Sequence, residues 1–104
     1  MILTTAFEIP QRKVVKIVGL VKGNTVRVRH LGKDIAALFK NLVGGEIEEY
    51  TKLLAESREQ SIDRMIADAE NLGANAIIGV RFSTSYIMQS AAEIMVYGTA
   101  VIVE

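Results

Sequence analysis

The sequence predicts an α+β domain, an antiparallel sheet of about four strands with one short and one long helix packed against it. Two β-branched runs, Val14 to Val21 and Val26 to His30, flank Lys22-Gly23-Asn24-Thr25. A long amphipathic run opens at Gly44-Gly45-Glu46 and stops at Leu72-Gly73. Two apolar strands follow, and the last, Ile94 to Val103, is apolar or small on both faces. With 104 residues, 50% of them hydrophobic, residues 1–104 can bury one core and not two, so they form a single domain.

Lys22-Gly23-Asn24-Thr25 can supply positive φ in a tight turn, so the first two runs read as a β-hairpin. With Gly23 and Asn24 central, Val21 faces Val26, Gly19 faces Val28 and Ile17 faces His30. Val18, Leu20, Arg27 and Arg29 then fall on the opposite face. From Leu31 to Val43, Ile35, Leu38, Phe39, Leu42 and Val43 recur at helical spacing and mark a short amphipathic helix that Gly44-Gly45 ends.

Glu46, Glu48 and Glu49 crowd the first turn of the long helix, where carboxylates suit the positive end of the helix dipole. Its apolar stripe is Ile47, Tyr50, Leu54, Ile62, Met65, Ile66, Ala69 and Leu72, and Gly73 is the expected C-terminal cap. About 26 residues at 1.5 Å each give roughly 39 Å, against a diameter of roughly 34 Å for a compact chain of this size. One subunit should not cover such a helix.

Ala76 to Thr84 and Ile94 to Val103 read as strands joined by a small, polar link from Ser85 to Ala92. In the last strand Ile94, Val96, Gly98, Ala100 and Ile102 line one face, and Met95, Tyr97, Thr99, Val101 and Val103 the other. Both faces need cover. A symmetric link sets Gly79 against Gly98, a flat spot where a helix backbone could approach. The two helices cover little more than one side of the sheet, so the other side is expected to meet further copies of the chain.

Net charge is zero, yet residues 1–40 hold eight Lys and Arg against two acids, and residues 41–104 hold four against ten. The halves therefore carry +6 and −6. A basic surface would suit nucleic acid or a small anion. The favoured alternative sets the basic hairpin beside the acidic helix, because no aromatic residue lies among Arg12, Lys13, Lys16, Arg27 and Arg29 on which bases could stack. Cysteine is absent, which excludes disulfides and thiolate chemistry. No leader or membrane-length apolar run is present, so a cytoplasmic protein without a membrane partner is expected.

His30 is the only histidine, and a divalent metal site would need carboxylates or one imidazole from each member of a ring. Zn²⁺, Cu²⁺ or Ni²⁺ should bind weakly. Glu56, Glu59 and Asp63 recur at the spacing of any solvated helix face. Arg58, with Ser57 and Ser61, interrupts the apolar stripe between Leu54 and Met65, which places it against the sheet or a neighbouring subunit, whereas Arg64 falls nearer the solvated flank. A guanidinium so placed needs carboxylate, phosphate or carbonyl partners: Glu49, Glu93, a neighbour's acid, or a bound anion. Glu93 and Tyr97 share a strand face and could pair as acid and phenol, which with Arg58 would make an enzyme site between subunits. The Gly-x-Ser-x-Gly elbow, the Walker loop and the dinucleotide-binding glycine loop are all absent. A non-enzymatic, homo-oligomeric binding or scaffold protein is expected, with Glu49, Tyr50, Arg58, Arg81, Glu93 and Tyr97 as anion-binding or intersubunit candidates.

Gly44-Gly45-Glu46-Ile47-Glu48-Glu49-Tyr50-Thr51, Glu56-Ser57-Arg58 and Leu72-Gly73-Ala74-Asn75-Ala76, followed by the two strands, resemble the YbjQ-like family of small bacterial and archaeal proteins over nearly the whole chain. The family is labelled for heavy-metal binding. The resemblance implies a dodecin-like subunit, a ring of five copies, and a divalent metal ion as ligand. Tyr50, Thr51, Arg58, Gly73, Asn75, Gly98 and Thr99 match the family's characteristic positions, to which its pattern assigns no established role.

Overall fold

The computed structural model describes residues 1–28, 48–88 and 91–104. Its elements are β1 (Ile2–Leu3), β2 (Val14–Val28), helix α1 (Glu48–Asn71), β3 (Ala76–Met88) and β4 (Ala91–Val103). They form one four-stranded sheet in the order β1-β3-β4-β2. Central β4 pairs antiparallel with β2 on one side and β3 on the other. β1 joins β3 in parallel at Ile2–Ala76 and Leu3–Ile77, so the sheet is mixed where the sequence predicts it antiparallel throughout. The predicted short helix at Leu31 to Val43, and His30, lie outside the described residues.

The predicted hairpin does not form. Val14–Val28 is one continuous strand, and Val21, Gly23 and Thr25 pair with Gly98, Val96 and Ile94 of β4. Gly23 serves contact with the helix. A Cβ there would overlap the Ser61 carbonyl oxygen and the Met65 backbone nitrogen and meet Arg64 Cβ at 3.0 Å. The strand passes directly beneath the α1 backbone, and only a residue without a side chain fits. Because the strand never reverses, Arg27 shares the helix face with Val21 and Thr25, and Leu20 points the other way.

α1 ends as the sequence predicts. Gly73 has φ +81°, its N–H donates to the Glu70 carbonyl at 3.0 Å, and the Ala74 N–H donates to the Ala69 carbonyl at 3.1 Å. This bond pair satisfies the last-turn carbonyls, and the left-handed φ it requires is cheapest for glycine. The buried row of α1 is Ser57, Ser61, Met65 and Ala69, while Leu54 and Leu72 of the predicted stripe are exposed. Met65 and Ala69 pack with Val21, Ile77, Val80, Val96 and Ala100 in the core between helix and sheet. Removing such a side chain from water is worth roughly 1.5–3 kcal/mol for one of methionine size.

β3 and β4 are longer than predicted, and Ser85 to Met88 belong to the ladder, with Ser85 opposite Glu93 and Tyr86 opposite Ala92. The expected meeting of Gly79 and Gly98 takes the form of a bulge between the pairs Ile78–Thr99 and Arg81–Tyr97. Gly79 there has φ +61°, with the Phe7 ring packed on it, so no helix approaches at this point. A second, smaller core of Ala76, Val101 and Val103 lies with Ile2, Ile9, Val14 and Ile78. The molecule measures 54 × 24 × 16 Å, with a radius of gyration of 17.3 Å. A compact chain of this length would have about 13 Å. At 24 residues, or about 36 Å, α1 is shorter than the long strands it lies on, so the helix is not over-long for its own subunit.

Gly23→Ala should lower unfolding free energy by about 1–3 kcal/mol, as overpacking does, with an unchanged denaturant slope. Gly23→Asn should cost more than alanine because it is larger, whereas a turn glycine would accept asparagine more readily. Urea melts showing asparagine as the milder change would contradict the helix contact.

Candidate functional site

Beneath the N-terminal half of α1 lies a seam of hydroxyl groups. Ser57 and Ser61 are fully buried (0% exposed) and Thr25 almost so. Thr25 Oγ1 and Ser61 Oγ are 2.9 Å apart, Ser61 reaches the Ser57 and Ile94 carbonyls at 2.9 and 3.1 Å, and Ser57 Oγ donates to the Leu53 carbonyl at 2.8 Å. Arg27 closes the seam, with Nε donating to Ser57 Oγ at 2.8 Å and Nη2 to Gln60 Oε1 at 2.7 Å. Among the described residues every buried side-chain polar atom has a partner, so this seam joins helix to sheet and leaves no serine free for nucleophilic work.

Arg58 is not against the sheet. One residue after buried Ser57, it is turned about 100° round the helix, stands exposed, and donates Nε to the Leu54 carbonyl at 3.3 Å. Of the two placements expected for Arg58, against the sheet or against a neighbouring subunit, the first does not hold within the chain. Arg64 reaches over the outer edge of β2 and donates to the Asn24 carbonyl, while Asp68 Oδ2 accepts from the Lys22 N–H at 3.4 Å. The basic strand thus does lie beside the acidic helix in the same chain, with helix charges serving backbone groups of an edge strand.

The opposite face of the sheet carries the other candidates. Cross-strand partners share a face, so its rows are Leu20–Thr99–Ile78, Lys22–Tyr97–Arg81, Asn24–Met95–Ser83 and Val26–Glu93–Ser85. Leu20 is 71% exposed, and Val26 and Tyr97 are also exposed. Asn24 Nδ2 donates to Glu93 Oε2 at 3.2 Å. Arg81 sends Nη1 to the Thr5 and Val80 carbonyls at 2.9 and 2.8 Å, with its guanidinium 5.4 Å from the Phe7 ring centroid. Glu93 and Tyr97 do share a face, but four residues of strand hold their backbones about 13 Å apart. Arg58 is on the far side of the sheet from both. One chain therefore does not assemble the three into an acid–phenol–guanidinium site. Glu49 and Tyr50 fall in the first turn of α1.

Lys22 and Asn24 are the open-face residues that the sequence reading assigns to a turn. The alternation from Val21 to Arg27 was the available signal, since it places them on one side and Val21, Gly23 and Thr25 on the other. An open concavity of about 860 Å³ runs along the N-terminal turn from Phe7 to Val14 and contains none of the candidates. Among the described residues no three His, Asp or Glu side chains converge as a metal site, and no helix is long and apolar enough to cross a membrane. The described donors do not fit a heavy-metal ion, which prefers thiolate and imidazole ligands.

Residues 1–104 match the model of a family described as "Putative heavy-metal-binding", the YbjQ-like family. The chain belongs to that family. It is similar to a UPF0145 protein of Dehalococcoides mccartyi at 60% identity over 104 residues, covering all of both chains. A UPF0145 protein of the archaeon Archaeoglobus fulgidus is 56% identical over 100 residues, which is 96% of this chain and 93% of that one. The fold is similar to the crystal structure of a Pediococcus pentosaceus protein of unknown function from the DUF74 family. The TM-score is 0.71 at 14% identity, covering 100% of this chain and 98% of that one. Over the described residues this YbjQ-like chain is thus an α+β unit with one helix and a mixed four-stranded sheet.

Where unfolding midpoints no longer depend on protein concentration, Arg64→Ala should cost about 1 kcal/mol through its lost bond to the Asn24 carbonyl. Arg58→Ala should change stability by less than about 0.5 kcal/mol. Chemical denaturation giving the reverse order would restore Arg58 to a structural role within one chain.

Proposed function

We propose that this YbjQ-like chain acts in the cytoplasm as a self-assembling binding or scaffold protein, and that its copies bury the open sheet face against one another. The observation that carries this is the sheet face with Ile17 at 69% and Leu20 at 71% exposed, joined by Val26, Met95 and Tyr97, with only the N-terminal segment across one end of it among the described residues. Large aliphatic groups on a strand face are stable when covered, and a molecule 16 Å thin gains its second layer from another copy. A ring of five is the number that the family resemblance implies.

For the ligand, a small anion is favoured over a metal ion. Lys22 and Arg81 flank Tyr97 in one cross-strand row, whereas the described carboxylates do not converge. Two basic residues whose backbones lie two strand spacings, about 10 Å, apart, with a phenol on the strand between them, suit a carboxylate or phosphate bound in the assembled state. An enzyme site built from Arg58, Glu93 and Tyr97 has less support, because the sheet separates the first from the other two. Nucleic-acid binding has less still, since helix side chains already occupy the outer edge of β2.

Light scattering at micromolar concentration should return a multiple of the 11.4 kDa chain mass. A mass of one chain would overturn the proposal. In thermal-shift titrations phosphate or citrate should raise the melting temperature, and Lys22→Ala should remove that rise. Calorimetry with Zn²⁺, Cu²⁺ and Ni²⁺ should show only weak binding, and submicromolar affinity that survives His30→Ala would favour the metal instead.

A further inference from the structure

α1 does not lie centrally on its sheet. It covers β2 and β4, and Arg64 and Asp68 lean over the outer edge of β2, so among the described residues the helix-side row of distal β3 is left bare. That row is Phe82, Thr84 and Tyr86, the partners of Val96, Ile94 and Ala92, and Tyr86 is 89% exposed. The helix flank facing β3 is the row four residues apart, Leu54, Arg58, Ile62 and Ile66. Between flank and strand runs a groove with an aromatic floor, an aliphatic wall and one guanidinium. No charged residue occurs between Arg81 and Glu93, so this stretch of strand carries none of the charges that usually keep an exposed edge soluble.

The opposite face of the same sheet supplies the complement. Val26 and Met95 surround Glu93, the one acid in its four rows. The two surfaces also match in height. Ser57 and Ser61 touch Thr25 and the Ile94 carbonyl, which puts Arg58 level with Glu93 along the strands and on the other side of the sheet. Rotation about an axis parallel to the strands therefore brings one copy's Arg58 beside the next copy's Glu93.

We infer that the α1–β3 groove receives the open sheet face of a second copy, with Arg58 of one chain paired to Glu93 of the next. This rests on the self-assembly reading above and makes the contact head-to-tail, since the two surfaces differ and each chain carries both. Such a contact propagates, and closes into a ring when the rotation divides the circle.

The chain has no cysteine, so pairs can be introduced cleanly. On mild oxidation, or with a short thiol cross-linker, Arg58→Cys with Glu93→Cys in one chain should give a ladder of covalent multiples beyond the dimer on denaturing gels. Neither single variant should cross-link. Arg58→Glu and Glu93→Arg should each raise the concentration needed for assembly on the order of tenfold or more, and the two together should restore it. Dimers from a single variant would show a two-fold contact and overturn the inference, as would an absent ladder in a protein that light scattering finds assembled. A wild-type chain that scatters as a monomer would instead remove the self-assembly reading itself.

Discussion

The position of α1 over Gly23 determines most of what surrounds it. With no Cβ between them, strand β2 lies directly under the backbone of Ser61 to Met65. A helix seated so low buries small side chains at Ser57, Ser61 and Ala69, with Met65 the one large group in the row. Burying two serines and a threonine is tolerable only if each hydroxyl finds a partner. The same closeness supplies them, in the Leu53, Ser57 and Ile94 carbonyls. The short side chain of Asp68 reaches the Lys22 N–H for this reason too.

A helix drawn toward β2 cannot also cover β3, and among the described residues the second side of the sheet has only the N-terminal segment at one end. The exposed apolar groups follow from that offset. They are not scattered single residues, which would need no explanation. They form two surfaces on opposite sides of one sheet, with Arg58 on one and Glu93, the one acid in its four rows, on the other. Self-assembly is the reading that gives both surfaces a use.

Features set by local chemistry were legible in the sequence. The end of α1 was, because Gly73 provides a left-handed residue where the helix stops. Gly23 was not, since Lys-Gly-Asn-Thr carries turn residues and nothing local reveals a helix backbone 38 residues later in the chain pressing on it. The sheet-facing alternative for Arg58 fails by a single helical step, because Ser57 and Ser61 read as interruptions of an apolar stripe when they are its buried centre. The extension of β3 through Ser85 to Met88 was hidden by its small, polar composition, which the ladder with β4 overrides.

The sorted charges of the two halves have a physical use that composition could not show. Arg64 and Asp68 do not meet a partner of opposite charge across the helix–strand contact. They cap a carbonyl and an N–H of the outer edge of β2, the groups through which another strand would otherwise add to the sheet. The other outer edge is treated differently: β1 and the N-terminal segment cover β3 as far as Val80, where the Thr4 and Ala6 carbonyls accept from Val80 and Gly79. Beyond Val80 the strand continues for eight residues with Arg81 as its last charge. One edge is thus closed by charge and the other left apolar, an asymmetry that favours head-to-tail contact between unlike surfaces over symmetric edge-to-edge pairing.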